Sequence, residues 1–308
     1  MNDILAQPIQ IGHIQAKNRI LMPPMYRPWS DDSGKVSDKH IAHYRERAEG
    51  GVGTIVVETT AVLREYRLSQ NNIGIWSDEH IDGLSKIAEV IRKNSALAFI
   101  QINHTALNRA LSLEEITTAR NTFVDAAARA EKAGFQGVEL HAAHGFLLSQ
   151  LLSSTHNQQK DEYGGTINGR TRLLLEIIPL AREKTKPDFA LGVRLGIDTL
   201  EEGREIARKL SLLVDYLSIS HGAGGGETIQ VPPDYPFSPT VYRAERVKPH
   251  VTVPVVAVGG IKTGEMARQI LAKGIADLIA VGRGMLADAK WAEKALSYRD
   301  DEIQPYQN

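Results

Sequence analysis

The chain contains no cysteine, which removes disulfides, thiolate metal sites and a cysteine nucleophile together. Net charge is almost absent as well. Thirty-six Lys and Arg stand against 37 Asp and Glu, a formal −1, so bulk electrostatics nominates neither nucleic acid nor a membrane surface as partner. No apolar run approaches the roughly 20 residues that a bilayer-spanning helix needs. The opening stretch MNDILAQPIQ has no basic segment followed by an apolar one, so no signal peptide is expected and a reducing cytoplasm is the expected compartment. Low-complexity tracts and domain boundaries are missing too, which leaves residues 1–308 as one domain.

What is present is a globular composition, 42% hydrophobic and 24% charged, in a chain of ordinary length for a single barrel of about 250 residues. Residues 4–17 alternate briefly around Pro8 and Gly12, which predicts a small hairpin ahead of the main fold. After that, short apolar strands alternate with amphipathic helices. Strands are expected at 19–22, 54–57, 98–100, 137–141, 190–194, 215–220, 254–258 and 277–281. Helices are expected at 38–50, 78–94, 113–133, from 168, at 200–210, 240–249 and 263–273, and from about 285. Leu113, Ile116, Ala119, Phe123 and Ala127 fall three or four apart, one apolar stripe on a helix. Strands joined by helices form a parallel sheet, and about eight such units without a linker close into a (β/α)8 barrel.

Barrels of this kind work from the C-terminal ends of their strands. Those ends carry Pro23-Pro24-Met25-Tyr26, Glu58-Thr59, Gln101 with His104 beyond, His141 with His144 beyond, Arg194, Ser220-His221, Gly259-Gly260 and Gly282-Arg283. The last two deliver glycines straight into helices, in VAVGGIKTGEMA and IAVGRGMLADA. Glycine lets backbone N–H groups approach an anion, and a helix N-terminus adds its positive end. With Arg283 as a fixed cation, the pair reads as a phosphate site; either loop alone would read as a tight turn. Gln101 donates and accepts hydrogen bonds, and Arg194 is a permanent cation. Taken together they suit a heteroaromatic ring that gains negative charge on reduction, as a flavin does. Taken singly, Gln101 reads as a loop hydrogen-bonder and Arg194 as an ion-pair partner.

The stretch GVELHAAHGFLLSQLLSSTHNQQKDEYGGTINGRTR, residues 137–172, is the most distinctive. A strand breaks into His141-Ala-Ala-His144-Gly145-Phe146, and a polar loop leads to the next helix. Two imidazoles three apart could ligate a metal, but no clear third ligand completes a set. They could also be core histidines satisfied by backbone. At a strand end facing a presumed cofactor, they read as donors to a substrate oxygen. His13, His40, His43, His80, His156 and His250 read as structural.

The segments PIQIGHIQAKNRILMPPM, HAAHGFLLSQLLSSTHNQQKDEYGGTINGRTR, VRLGID, AVGGIKTG and VGRGML resemble, in order, those of the old yellow enzyme family, over about residues 4–296. The resemblance implies FMN bound non-covalently at the barrel mouth by Pro23, Pro24, Met25, Tyr26, Thr59, Gln101, Arg194, Gly259, Gly260, Gly282 and Arg283. It implies a substrate carbonyl held by His141 and His144 beside Phe146, with NADH or NADPH as reductant and an activated alkene, quinone or similar small-molecule electron acceptor. No nucleic-acid or membrane partner is implied, and a homo-oligomer is compatible with it. Three departures stand out. Phe146 occupies the place of a tyrosine proton donor, leaving water, Tyr26 or Tyr66 for that role. The stretch from Gln101 to His141 is shorter than the family pattern, and Tyr26 replaces a smaller Cys or Thr. Phe146 and the trimmed stretch also motivate an alternative, an FMN-binding protein with little turnover.

Overall fold

The computed structural model describes residues 3–224 and 229–307. Two short strands, β1 (Ile9–Ile11) and β2 (Ile14–Ala16), pair antiparallel with Ile9 opposite Ala16. Eight parallel strands follow: β3 (Ile20–Met22), β4 (Thr54–Ala61), β5 (Leu97–Asn103), β6 (Gly137–Ala142), β7 (Ala190–Ile197), β8 (Tyr216–His221), β9 (Val255–Val258) and β10 (Leu278–Ala280). They close in sequence order, β10 pairing with β3. The crossovers carry α1 (Asp38–Glu49), α2 (Ile81–Arg92), α3 (Leu113–Lys132), α4 (Leu147–Leu152), α5 (Ile167–Lys184), α6 (Leu200–Leu210), α7 (Pro239–Val247), α8 (Gly264–Ala272), α9 (Arg283–Ala287) and α10 (Trp291–Leu296). The expected barrel with an N-terminal hairpin is the observed fold. No helix among the described residues is long and apolar enough to cross a membrane.

Side chains two apart on a strand share a face, so the barrel interior is built in layers. The lowest layer is apolar: Leu21, Val56, Phe99, Tyr216, Val256 and Leu278 pack with Ile11 and Ala16 of the hairpin. The hairpin therefore closes the N-terminal end. Phe99 and Tyr216 stack with ring centroids 5.7 Å apart. Gly192 is required here, because a Cβ on it would lie 2.0 Å from the Tyr216 ring. One step up each strand the interior turns polar, with Gln101, Glu139, Arg194 and Ser218. Register places Gln101 beside Glu139, and Arg194 beside both His141 and Ser218.

Three elements depart from expectation. Strand β4 runs on through Thr59, Thr60 and Ala61, because pairing with β5 resumes at Ile102 after a register shift. Helix α4 lies where a polar loop is expected. All six of its residues are buried, so it has no amphipathic period to reveal it. The last helix is two helices, separated where the Asp288 carboxylate accepts from the Lys290 N–H at 2.9 Å.

Candidate active site at the barrel mouth

Gly259, Gly260, Gly282, Arg283, Pro23, Met25 and Arg194 line one cavity of about 710 Å³, whose far wall is the tail at Asp300, Ile303, Gln304 and Tyr306. Residues far apart in sequence thus converge, as the strand-end logic predicts. Gly259 and Gly260 take φ values of +106° and +69°, open to glycine at little steric cost. A Cβ at Gly282 would meet the Met25 sulfur at 2.8 Å. The two helix starts differ. At α8, Thr263 caps the Met266 N–H, and the N–H groups of Gly264 and Glu265 donate to the two carboxylate oxygens of Asp300, at 2.7 and 2.9 Å. Those donors are spent inside the protein, so the sequence expectation of two open helix starts holds for only one. The N-cap Gly282 of α9 provides no side-chain cap, and among the described residues Arg283 and Arg194 make no salt bridge, though Arg194 acts on Glu139 through space.

Beneath the cavity lies a closed polar network. Gln101 Nε2 donates to Glu139 Oε1 at 2.8 Å, and the Tyr216 hydroxyl donates to Oε2 at 3.2 Å. Burial raises the Glu139 carboxyl above its ordinary range, against the pull of Arg194. Glu139 therefore fixes which end of the Gln101 amide turns inward. Among polar atoms of this rim, Thr59 Oγ1, Arg194 Nε and His141 Nδ1 are buried without a partner. Asn103 Oδ1, at the end of β5, is a fourth; buried polar atoms are nearly always satisfied, and such orphans at the strand ends mark the mouth as built to receive something polar.

Strand β6 delivers His141 inward. The chain then reverses through His144 (φ +61°) and Gly145 (φ +78°), two consecutive left-handed residues, which is uncommon for a non-glycine and strained. The reversal brings His144 Nδ1 to 3.0 Å from His141 Nε2. His144 Nε2 lies 2.7 Å from Ser220 Oγ on β8, and the Phe146 ring sits 4.6 Å from that of His141. Burial first, then neighbouring charge, keeps both imidazoles neutral: His141 well below its usual range, His144 down to about 3. They are hydrogen-bonding groups rather than cations. Among the described residues no three His, Asp or Glu side chains are placed to share a metal ion.

The remaining expected residues are positioned as follows. Tyr26 bonds through its hydroxyl to Ser69 Oγ. Pro24, Tyr26, Thr59 and Gln101 are not among the cavity's lining residues. Tyr66 stacks on His104 at 4.1 Å. Reading the sequence missed Glu139, and placed Glu58 and Ser220 at strand ends without giving either a role. Glu58 Oε2 accepts from the Arg27 N–H at 2.6 Å, and the Tyr44 hydroxyl accepts from the Glu58 N–H at 2.9 Å, so this carboxyl ties the Met25–Arg27 loop to β4. Burial raises it to about 8. His40 and His43, expected to be structural, are buried on α1, with His40 Nε2 3.5 Å from Glu58 Oε1. The signal for Glu139 is its place in GVELHA: a charged residue at an inward position of a buried parallel strand.

The profile of the NADH:flavin oxidoreductase / NADH oxidase family matches residues 4–109 and 104–302. The chain is 36% identical to the NADPH dehydrogenase of Bacillus subtilis, over 97% of this chain and 96% of that one. It is 35% identical to the NADH oxidase of Thermoanaerobacter brockii, over 96% of this chain but 51% of that one. The chain therefore spans about half the length of some relatives and nearly all of others. Among solved structures, the old yellow enzyme homologue of Zymomonas mobilis superposes with a TM-score of 0.83 at 25% identity, covering 99% of this chain and 94% of that one. A 2-naphthoyl-CoA reductase superposes at 0.89, also at 25% identity, covering 99% and 54%. These relatives are named as oxidoreductases, and none supports a non-catalytic flavin carrier. With barrel, mouth and histidine pair in place, the chain belongs to the NADH:flavin oxidoreductase / NADH oxidase family, the FMN-dependent oxidoreductases of old yellow enzyme type.

Proposed function

We propose that this protein passes hydride from NADH or NADPH, by way of FMN, to the β-carbon of an alkene conjugated to a carbonyl, or to a quinone-like acceptor. The observation that carries this reading is the histidine pair: His141 Nε2 and His144 Nδ1 stand 3.0 Å apart, with His141 paired in register to Arg194 on β7.

The residues present fit FMN. Arg283 and the Gly259–Gly260 and Gly282 loops hold its phosphate, using backbone N–H groups and a cation with no other partner. Gln101, locked by Glu139, offers its amide to the ring's polar edge, and Thr59 Oγ1 gains the partner it lacks. Pro23, Pro24, Met25 and Tyr26 wall the ring. When bound, the cofactor accepts a hydride from the nicotinamide and gives one to the acceptor. Arg194, at the end of β7, favours negative charge on whatever lies against it. His141 and His144, both neutral, donate to the acceptor's carbonyl oxygen and stabilise the negative charge that grows there as the β-carbon is attacked. Each turnover consumes one solvent proton at the α-carbon. Phe146 cannot supply it, so water or another hydroxyl does.

Anaerobic titration tests the reading. NADPH or NADH bleaches the flavin absorbance, and 2-cyclohexenone or a quinone restores it. His141→Ala retains FMN but loses most of the re-oxidation rate and weakens binding of phenols. Flavin that neither nicotinamide reduces, or a His141→Ala enzyme re-oxidised at the wild-type rate, overturns it.

A further inference from the structure

Ser220 is the third member of the histidine chain, and nothing above gives it a task. It lies on the inner face of β8, buried to 2% exposure, and pairs in register with Gly196. The backbone is tight there, since a Cβ on Gly196 would meet Gly222 Cα and the His221 carbonyl, each at 2.6 Å. Ser220 Oγ is held 2.7 Å from His144 Nε2, while the other nitrogen of that ring faces His141 at 3.0 Å. Both nitrogens of His144 are therefore engaged.

A neutral imidazole carries one N–H, and the partner of one nitrogen decides the state of the other. His141 Nδ1 is buried with no partner. An orphaned lone pair is tolerated better than an orphaned N–H, so His141 keeps its proton on Nε2. In the ligand-free chain His141 Nε2 then donates to a bare His144 Nδ1, and Ser220 accepts from His144 Nε2. Only one donor faces the gap, and it is occupied. Two donors face the gap only if His144 carries its proton on Nδ1, which leaves Nε2 bare for Ser220 to donate to. A serine hydroxyl serves either role by rotating; alanine serves neither.

Building on the reading of the pair as an oxygen-binding site, we infer that Ser220 is the positioning residue that sets the tautomer of His144, accepting from Nε2 in the free protein and donating to it when a substrate oxygen or phenolate enters. The change is balanced: Nε2 releases one proton and Nδ1 takes one up, both exchanged with water. His221 stands at the solvent side with its ring centroid 4.4 Å from that of His144.

Nitrogen-15 NMR of the imidazoles in the FMN-loaded protein tests this directly, with 4-chlorophenol as probe. The expected result is His144 protonated on Nε2 alone and on Nδ1 with phenol bound. Ser220→Ala leaves an orphaned N–H on His144 Nε2 in the free protein but only an orphaned lone pair with phenol bound, so it tightens phenol binding with FMN retained, while Ser220→Thr restores wild-type binding. If phenol binds but the His144 tautomer does not change, or Ser220→Ala binds it no more tightly than wild type, the role of Ser220 is overturned and the pair's function stands. If phenol does not bind at all, both fall.

Discussion

The two ends of the barrel are made by the same strands and obey opposite rules. At the N-terminal end the inward positions are packed and apolar but for Thr54, down to a glycine that cannot carry one more carbon. At the C-terminal end the same alternating positions are Gln101, Glu139, His141, Arg194 and Ser220, and four polar atoms are left without partners. The closed end holds the strands in register. The open end keeps unmet hydrogen-bonding capacity for a guest. Local preorganisation of this kind costs stability, and the packed floor offsets it.

The sharpest way to break the contrast is from below. Gly192→Val forces a side chain into the Tyr216 ring, where even a Cβ lies at 2.0 Å. It should cost about 3 kcal/mol or more, seen as a large fall in melting temperature. Since Tyr216 also holds Glu139, FMN affinity should fall with it. Second in size is Phe146→Tyr, which returns an ionisable hydroxyl next to His141. Alkene reduction should rise by up to about 100-fold if general acid help is what limits it; stopped-flow re-oxidation by 2-cyclohexenone reads this, and an unchanged rate assigns the proton to water. Third is Thr59→Val, which removes an orphaned hydroxyl. It should weaken FMN binding about tenfold yet leave the apoprotein as stable or about 1 kcal/mol more stable, measured by flavin titration and apoprotein melting. Loss of stability in both forms would show that Thr59 serves the fold instead.

The smallest effect is on pH. His43, His104 and His144 are held at about 3, 4 and 3 by burial, below the ordinary imidazole value of 6.5. The unfolded chain thus binds more protons, and their contribution is lost as pH falls from about 6.5 toward those values. Glu58 has the opposite sign. Raised from 4.5 to about 8, it favours the folded state at low pH, and that advantage is lost as pH rises through 8. Denaturant melts at pH 5, 6.5 and 8.5 should show Glu58→Gln removing a loss of stability that builds from about pH 5 to pH 8.

The strand ends could be read in advance because their chemistry is local: a glycine pair before a helix, or an arginine closing an apolar run, says what it is without a partner. Pairing across strands is not local. Gly192 has meaning only beside Tyr216, and Ser220 only beside a histidine 76 positions earlier. Helix α4 escaped because a wholly buried helix shows no polar face, and the capping of α8 by Asp300 joins residues too distant for any spacing rule. Resemblance to a family supplied an expected set of cofactor contacts where residue chemistry alone left Gln101 and Arg194 ambiguous.

The hairpin at the base has one more consequence. A vessel stoppered at one end has a single doorway, so the electron donor and the electron acceptor must queue for the same seat. Each departs before the other enters, and either, in excess, obstructs its successor. Double-reciprocal plots of steady-state turnover should run parallel, with inhibition at high concentrations of one visitor relieved by more of the other.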